Sequence, residues 1–371
     1  MVPKGETAAQ SRLPGILSFV VLCIILCLGL WPLHIPANDV KWLGSRNGLR
    51  LGRYATLISD GPLGTPGTAG SVEIWLQPAH LDAHGTILSV SQPGYAAGFR
   101  IRQSLADIVV ETVSPGRKDK FFADEVLRTN RPYFLTVTSG VSGTVVYLDG
   151  VPVRKAPLQI SPQDFAGQLI LADTPRDPDS WEGRVYGVAV YRRELTGAET
   201  AGHYRSWTAT GRPEIQAADD CAALYLLDER SGAVAHNQIG PAGALRIPGK
   251  YEVAGHEFLQ PFWEEFSLSR EYFNATVKNI VGFLPVGFVF YAYLAGIRGV
   301  RKSVPLVVLS GLLISLTIEL LQYFLPNRDS GTSDLITNTF GTWMGVLLYR
   351  QLYARLAAIF PWLPLFPKPR G

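Results

Sequence analysis

Residues 304–325 read VPLVVLSGLLISLTIELLQYFL and contain a single charged side chain, Glu319. An apolar helix of about 20 residues is long enough to cross the hydrocarbon core of a bilayer. A carboxylate inside such a helix is energetically costly, so it requires a partner or a function. The stretch therefore predicts a membrane-spanning helix that carries a polar site.

Three other apolar stretches predict further membrane helices, at residues 13–35, 277–297 and 335–349. The first of these has no charged residue between positions 16 and 31. No clear small-x-small cleavage site follows it, which favours an uncleaved anchor over a signal peptide. Together with the stretch at 304–325, the sequence predicts an α-helical membrane domain of four spans.

Basic residues indicate how these spans are oriented. Arg298, Arg301 and Lys302 lie between the second and third spans, and further basic residues follow the last span. Because cytoplasmic loops of membrane proteins are enriched in Lys and Arg, both groups are expected in the cytoplasm. We therefore predict a multi-pass protein of the cell membrane in which residues 1–12 and 351–371 are cytoplasmic and the segment between the first two spans is extracytoplasmic.

That long segment has the pattern of a β-sandwich. Short alternating stretches, such as SVEIWL at 71–76 and GTVVYL at 143–148, recur between turn signals, which is typical of antiparallel sheets. Asp149 and Gly150 favour a type I′ hairpin, because both central residues of that turn need positive φ. The fold class is thus mixed, with an all-β jelly-roll sandwich at 47–250 and the helical membrane domain.

The boundary between the two parts lies in a segment rich in aromatic residues. We assign residues 251–275 to a juxtamembrane segment and residues 276–350 to the membrane domain. Phe262 and Trp263 suit the aromatic belt found at membrane interfaces. Residues 217–273 can either complete the sandwich or form a separate collar at the membrane.

Composition argues against two classes of function. The formal net charge of +3 is small and the basic residues do not cluster, so no nucleic-acid partner is predicted. The three cysteines, Cys23, Cys27 and Cys221, suggest neither a disulfide framework nor a metal site, because two lie in an apolar run and the third is far away.

Polar residues recur at helical spacing in the third and fourth spans. Ser315, Glu319 and Gln322 follow an i, i+4, i+7 pattern and therefore share one helix face. Asp334 and Asn338 begin a similar stripe in the last span, which continues into Gly341-x-x-x-Gly345, a spacing that allows close helix contact. We expect the two polar faces to meet.

The same residues predict a polar pocket that opens outward. Glu319 lies about 25 Å of helix beyond Lys302, which places it near the outer boundary of the membrane. The alternative is a structural role, in which these groups hold the helices together. The ligand-binding candidates lie near the outer boundary of the membrane or on the polar faces of the third and fourth spans. They are Lys278, Asn279, Ser315, Glu319, Gln322, Arg328, Asp334 and Asn338.

The sandwich offers weaker candidates. Asp173, Asp177 and Asp179 could supply oxygen ligands to Ca²⁺, but they lack the spacing of a known calcium loop, and a solvated turn is the favoured interpretation. No other cofactor is predicted. Trp181 and Trp207 could stack on sugar rings, although packing in the core or at its rim is the commoner role of Trp in a sandwich.

The sandwich resembles the laminin G-like, concanavalin A-like jelly rolls. The resemblance covers about residues 47–207 and rests on SVEIWLQP at 71–78, YLDG at 147–150, GRVYGVAVY at 183–191 and LTGAE at 195–199. It implies that the domain binds carbohydrate or protein, in some members with calcium. Fold alone does not establish which of these applies.

The membrane part resembles the VanZ-like family. The motifs are N-x-x-G-F-x-P-x-G-F at 279–288, S-x-x-x-E-x-x-Q-x-x-x-P-x-R at 315–328 and D-L-x-x-N-x-x-G-x-x-x-G at 334–345. The resemblance implies a role at the outer face of the bacterial membrane and, for the founding type, lowered sensitivity to teicoplanin. Here the jelly roll replaces the short external segment usual in that family.

Three hypotheses for function follow. In the first, the pocket binds an envelope lipid or lipid-linked precursor and the jelly roll contacts a glycan or envelope protein. In the second, which we favour less, Glu319 and Asp334 act as an acid and base pair in an intramembrane enzyme that acts on lipid head groups. In the third, the membrane part only anchors an adhesive or sensing domain.

Overall fold

The computed structural model separates the chain into two compact units, Ile35–His256 and Met1–His34 with Glu257–Gly371. The first unit is a β-sandwich and the second is helical, which confirms the predicted combination of a jelly roll with a helical region. The structure describes residues 4–32, 34–92, 98–114, 117–175, 178–216, 219–255, 257–297, 303–326, 328 and 330–359.

The first sheet of the sandwich has eight antiparallel strands in the order β1-β2-β13-β4-β9-β10-β11, with β14 also paired to β13. Strands β2 and β14 pair with opposite ends of the same edge of β13, while β4 pairs with the other edge. The strands are β1 (Val40–Trp42), β2 (Leu49–Leu51), β4 (Gly70–Pro78), β9 (Tyr133–Gly140), β10 (Gly143–Leu148), β11 (Val151–Ala156), β13 (Gly183–Tyr191) and β14 (Cys221–Tyr225).

The second sheet also has eight antiparallel strands, in the order β15-β16-β3-β12-β5-β6-β7-β8. These strands are β3 (Leu57–Pro62), β5 (His84–Ser91), β6 (Phe99–Ser104), β7 (Asp107–Ser114), β8 (Arg117–Ala123), β12 (Gln168–Leu171), β15 (Val234–Ala235) and β16 (Leu245–Arg246). The apolar faces of both sheets contribute to one continuous core.

Alternation along β4 shows how the sequence forms this core. Val72, Ile74 and Leu76 are fully buried between the sheets. Because successive side chains of a strand point to opposite faces, Glu73 and Gln77 lie on the outer face of the first sheet. Along β4 the outer face therefore carries Glu73 and Gln77, together with Trp75.

The hairpin between β10 and β11 forms as predicted. Asp149 and Gly150 have φ values of 54° and 77°, and the strands on either side pair in antiparallel register. The Asp149 carboxylate also accepts a hydrogen bond of 2.9 Å from the Phe134 backbone N–H. Local turn chemistry thus fixes the register of this edge of the sheet.

Helix α2 (Gly197–Thr210) packs on the outer face of the first sheet. It begins with a capping box between Thr196 and Glu199 and ends at Gly211, which has a φ of 72°. Trp207 of this helix is fully buried against the sheet, and Trp181 is 1% exposed in the main core. Neither indole is available to stack on a sugar, so the packing interpretation is confirmed.

The chain that follows α2 belongs to the sandwich rather than to a membrane collar. Strand β14 extends the first sheet, and β15 and β16 extend the second sheet. Tyr251 is 2% exposed, and its hydroxyl donates a hydrogen bond of 2.6 Å to Asp173. The sandwich unit therefore continues beyond residue 250, and the helical unit takes in the chain from Glu257 onward.

The helical unit is built from both ends of the chain. Its helices are α1 (Lys4–Leu30), α3 (Phe262–Glu265), α4 (Arg270–Tyr291), α5 (Ser303–Gln322) and α6 (Thr332–Ile359), and a π-helical segment, Ala292–Ile297, extends α4. Helix α1 packs against α4 and α5 through an apolar cluster that includes Ile25, Phe283 and Ile318. The first helix is thus an integral element of this unit.

Helices α4 and α6 approach each other through glycines. A Cβ added at Gly341 would overlap the carbonyl oxygen of Ile280, and one at Gly345 would overlap the carbonyl oxygen of Leu284. The G-x-x-x-G spacing therefore mediates a close helix contact, and the partner is α4.

Within the described residues, two helices are long and apolar enough to cross a membrane, Arg270–Leu294 and Ser303–Gln322. A shorter apolar helix covers Pro14–Leu30. The fourth predicted span, 335–349, lies inside α6, which is long enough to cross a membrane but is not among these apolar helices. The apolar helices indicate association with a membrane, whereas the count of four spans stays a prediction.

Candidate functional site

The candidate site lies at the end of the helical unit where α5 ends and α6 begins. Glu319, one turn before the end of α5, is 1% exposed. Its carboxylate accepts a hydrogen bond of 2.8 Å from the Gly331 backbone N–H, and the Ser330 hydroxyl also bonds to it. The acid that the sequence singles out therefore holds the turn that leads into α6.

A second carboxylate caps the same helix. Glu265 in α3 accepts a hydrogen bond of 2.9 Å from the Ser333 backbone N–H in the first turn of α6. The first N–H groups of a helix have no partner within the helix and carry a partial positive charge, so a carboxylate there is stabilising. Gln260 adds backbone hydrogen bonds with Ser330 and Thr332. The N-terminus of α6 is thus fixed by two acids from separate elements.

The polar faces of neighbouring helices meet as predicted. Asn338 in α6 donates a hydrogen bond of 3.0 Å to the Ser315 hydroxyl in α5, and both residues are buried. Asn279 in α4 donates a hydrogen bond of 2.7 Å to the Asp334 carboxylate in α6. Six of the eight candidates, including Glu319 and Gln322, therefore face the interior of one helix bundle.

A polar cavity of about 310 Å³ opens beside these contacts. Three predicted candidates line it, namely Gln322, Arg328 and Asp334. Its other lining residues come from the beginnings of α4 and α6 and from α3: Glu265, Tyr272, Ala275, Thr276, Gly331, Ser333 and Thr337. The lining combines two carboxylates, one guanidinium and several hydroxyl groups.

Gln322 and Arg328 connect this cavity to the end of α1. The Gln322 amide donates a hydrogen bond of 2.8 Å to the Gly29 carbonyl, and the Arg328 guanidinium donates to the Trp31 carbonyl. Within the residues that the structure describes, the Gln322 Oε1 and the Arg328 Nε are buried atoms with no hydrogen-bond partner. Both are thus unsatisfied polar atoms beside the cavity.

The structure does not pair Glu319 with either of the two cations among the binding candidates, Lys278 and Arg328. Lys278 is exposed on α4 and does not line the cavity. Neither it nor Arg328 forms an ion pair with Glu319 among the described residues. Backbone and hydroxyl donors, rather than a cation, surround this carboxylate.

Sequence reasoning missed Glu265 and Tyr272. Glu265 lies in a segment whose aromatic residues suggested only an interfacial belt, and it reaches Ser333 across 68 positions of the chain. The Tyr272 hydroxyl lies 3.3 Å from the Ser333 hydroxyl. An available signal was the unexplained acidic pair Glu264-Glu265 just before a predicted span.

The aspartates proposed for calcium are engaged by the protein itself. Asp173 is 1% exposed and accepts hydrogen bonds from the backbone N–H groups of Thr174 and Asp179, besides the one from Tyr251. Burial raises the pKa of Asp173 to about 7. Asp173 is therefore not part of a solvated turn.

Asp179 accepts hydrogen bonds from the Thr86 hydroxyl at 2.6 Å and from the Arg102 guanidinium at 2.9 Å. Asp177 lies outside the described residues. No group of three potential metal ligands occurs in the part of the chain that the structure describes. These donors to Asp173 and Asp179 favour a structural role, and calcium binding here stays an untested prediction.

A β-sandwich joined to a helical unit with apolar helices and a polar cavity defines a two-domain protein associated with a membrane. The VanZ/LLP1 family model matches residues 241–355, and that of the concanavalin A-like lectin/glucanases superfamily matches residues 51–201. The chain thus contains a VanZ-like domain and a concanavalin A-like domain, which confirms both resemblances seen in the motifs. The VanZ match does not include α1.

Several solved structures resemble part of the chain. A putative carbohydrate binding protein from Bacteroides ovatus has 16% identity and a TM-score of 0.40, with 54% of this chain and 59% of that chain covered. A SAP-like pentraxin from Limulus polyphemus has 15% identity and a TM-score of 0.37, with 58% and 96% covered. The binding domain of botulinum neurotoxin serotype D has 14% identity and a TM-score of 0.36, with 47% and 46% covered.

At these identities and TM-scores, the solved structures do not indicate what this chain binds. The chain spans 59% of the Bacteroides protein and 46% of the neurotoxin domain. No curated protein matches the sequence significantly.

Proposed function

We propose that this protein is a multi-pass protein of the bacterial cell envelope that binds the polar head of an envelope lipid, a lipid-linked precursor or a similar amphiphile. In this proposal four helices cross the membrane and both termini are cytoplasmic. The sandwich lies outside the cytoplasm, where it contacts a glycan or an envelope protein.

The observation that carries the proposal is the composition of the cavity beside α6. Glu265 and Asp334 can accept hydrogen bonds from hydroxyl or amine groups, and Arg328 can donate to phosphate or carboxylate oxygens. Apolar helices adjoin this polar cavity. A head group attached to an acyl or polyprenyl chain has the same combination of polar and apolar chemistry.

Glu319 supports this function as a positioning residue. Its carboxylate bonds to Gly331, a cavity-lining residue, but it is not itself among the lining groups. An acid and base pair would need both members within reach of the ligand. The geometry therefore favours binding over the alternative in which Glu319 and Asp334 catalyse a reaction.

The direct test measures lipid binding by the purified full-length protein. Native mass spectrometry in detergent would compare a polyprenyl phosphate, phosphatidylglycerol and phosphatidylethanolamine as probes. We expect saturable binding of one of them and a loss of about tenfold in Arg328→Gln, because charged hydrogen bonds contribute roughly 1.5–3 kcal/mol.

Lys278→Gln is the matched control, since it removes the same charge from an exposed position that does not line the cavity. Equal weakening by Arg328→Gln and Lys278→Gln, or no saturable binding of any probe, would contradict the proposal. In cells, expression is expected to lower sensitivity to teicoplanin. Arg328→Gln should remove that protection at an unchanged protein level.

A further inference from the structure

A row of polar side chains crosses three neighbouring strands on the outer face of the first sheet. Arg184 in β13 lies directly opposite Arg50 in β2 on one side and Gln77 in β4 on the other. These three residues line a cleft of about 290 Å³. The remaining lining residues are Leu51, Pro78, Ala79, His80, Asn130, Glu182 and Gly183.

The two arginines make an unusual cross-strand pair. Like charges directly opposite each other destabilise a sheet. Arg50 is compensated by Asp39, whose Oδ1 lies 3.1 Å from its guanidinium and also 3.2 Å from the Lys41 ammonium. Arg184 is exposed and makes no hydrogen bond or ion pair within the described residues. Its guanidinium therefore has no described partner, whereas that of its cross-strand neighbour Arg50 is paired with Asp39.

A layer of hydrogen bonds fixes the third member of the row. The Gln77 Oε1 accepts a hydrogen bond of 2.6 Å from the Tyr186 hydroxyl, which in turn accepts one of 2.6 Å from Arg46. The Arg46 guanidinium lies over the Tyr186 ring at 4.3 Å from its centroid. With its oxygen occupied, Gln77 can offer its amide N–H groups to the cleft.

The cleft also contains an acceptor. Glu182 is half-buried just before β13, and its carboxylate has no partner within the described residues. His80 and Asn130 lie at the rim and are exposed. The cleft thus presents several donors, a positive excess and one carboxylate, which is a set of groups suited to a charged saccharide.

We propose that this cleft binds an acidic unit of a glycan or polyol polymer, with an anionic group between Arg50 and Arg184. A carboxylate or phosphate there would accept hydrogen bonds from guanidinium groups and neutralise the charge of Arg184. A sugar hydroxyl would donate to Glu182, and another would accept from Gln77. This assignment rests on the proposed contact between the sandwich and a glycan, and it adds the place and the charge of the ligand.

The test measures binding to the full-length protein in detergent by isothermal titration calorimetry. The probes are an oligogalacturonate tetramer, a poly(ribitol phosphate) oligomer and a neutral galactose tetramer. We expect the anionic probes to bind at least about tenfold more tightly than the neutral one at low salt, and more weakly as salt is added. The ranking of the two anionic probes identifies carboxylate or phosphate as the source.

Arg184→Gln should weaken binding of the preferred anionic probe by about tenfold. Arg154→Gln is the matched control, because Arg154 is an exposed arginine of the same sheet, on edge strand β11, and does not line the cleft. It should leave the affinity within about twofold.

Two outcomes would overturn the assignment, and they have different consequences. If the neutral tetramer binds as tightly and Arg184→Gln has no effect, the sandwich contacts glycans at another place and the proposed function survives. If no probe binds, this site is wrong and the glycan contact of the sandwich loses its support, whereas lipid binding by the helical unit is tested separately.

Discussion

At the scale of single residues, three carboxylates of this protein accept hydrogen bonds from backbone N–H groups and so fix local turns. Glu319 and Glu265 bond to N–H groups only two positions apart, at Gly331 and Ser333. In the sandwich, Asp173 accepts from two backbone N–H groups in the same manner. Each carboxylate thereby fixes a short segment of chain, and Gly331 and Ser333 line the cavity.

Two substitutions of Glu319 distinguish the contribution of its hydrogen bond to stability from that of its charge. Glu319→Leu leaves the Gly331 N–H without an acceptor, so we expect the helical unit to lose about 1–3 kcal/mol of stability. Glu319→Gln keeps an acceptor oxygen and should lose much less. Thermal unfolding of the detergent-solubilised protein measures both, with Thr317→Val on the exposed side of α5 as the control. Equal losses in Gln and Leu would show that the charge itself is required.

The raised pKa of Asp173 predicts that the stability of the sandwich depends on pH. Its folded pKa is raised by burial to about 7, above the ordinary value near 4, so the folded state retains a proton that the unfolded state has released between these pH values. Stability from this group is therefore fully present below about pH 4 and is lost as the pH rises towards 7, by roughly 1 kcal/mol per unit.

Asp173→Asn should flatten the pH dependence of stability over that interval. The measurement is hydrogen exchange of peptides that contain Trp181, which is buried in the same core as the strands around Asp173. A variant that retains the full slope would assign the pH dependence to another group.

At the scale of elements, close packing of α4 against α6 positions the cavity-lining residues at the start of both helices. The sequence indicated the glycine spacing and the polar faces, because helical periodicity is a local property that can be read from one segment. It did not indicate that Gly341 and Gly345 contact α4 rather than α5, since the choice of partner depends on the packing of all three helices.

In the sandwich, too, local features could be predicted from the sequence and long-range contacts could not. The Asp149-Gly150 hairpin was predictable because its two strands adjoin the turn. The row formed by Arg50, Gln77 and Arg184 depends on the register of strands more than 100 positions apart, which no local pattern reveals. Glu265 was missed for the same reason.

Close approach of α4 and α6 makes a sharp prediction about their glycines. Gly341→Ala places a methyl group against the Ile280 carbonyl, so the helices must separate and we expect a loss of about 1–3 kcal/mol. Gly282→Ala is the control, because a Cβ at Gly282 in α4 meets no atom within 4 Å. Ala should be neutral or stabilising there, since Ala favours helix over Gly.

Thermal unfolding of the two alanine variants in the same detergent distinguishes these effects. A lower midpoint for Gly341→Ala alone supports the close contact. Similar midpoints for both variants would indicate that the helices are not as close as described.

At the scale of the whole molecule, the helical unit is discontinuous in sequence. Helix α1 comes before the sandwich and α4 to α6 come after it, yet α1 shares an apolar cluster with α4 and α5. Gln322 and Arg328 add hydrogen bonds to the end of α1. The sandwich is therefore an insertion between two parts of one helical fold. Both of its connections to the helices must then lie on the same side of the membrane as the sandwich.

The proposed topology predicts where engineered cysteines react on intact cells. Val141, at the tip of the β9 to β10 turn, is 90% exposed, and Gln351 is exposed near the C-terminal end of α6. In a background in which Cys23, Cys27 and Cys221 are replaced by Ala, a membrane-impermeant maleimide should label Val141→Cys in intact cells. Gln351→Cys should be labelled only after permeabilisation, because the basic residues around it favour the cytoplasm. Labelling of both positions in intact cells would place the C-terminus outside, which requires an even number of spans after the sandwich instead of the proposed three. Labelling of neither would place the sandwich in the cytoplasm and remove its contact with the envelope.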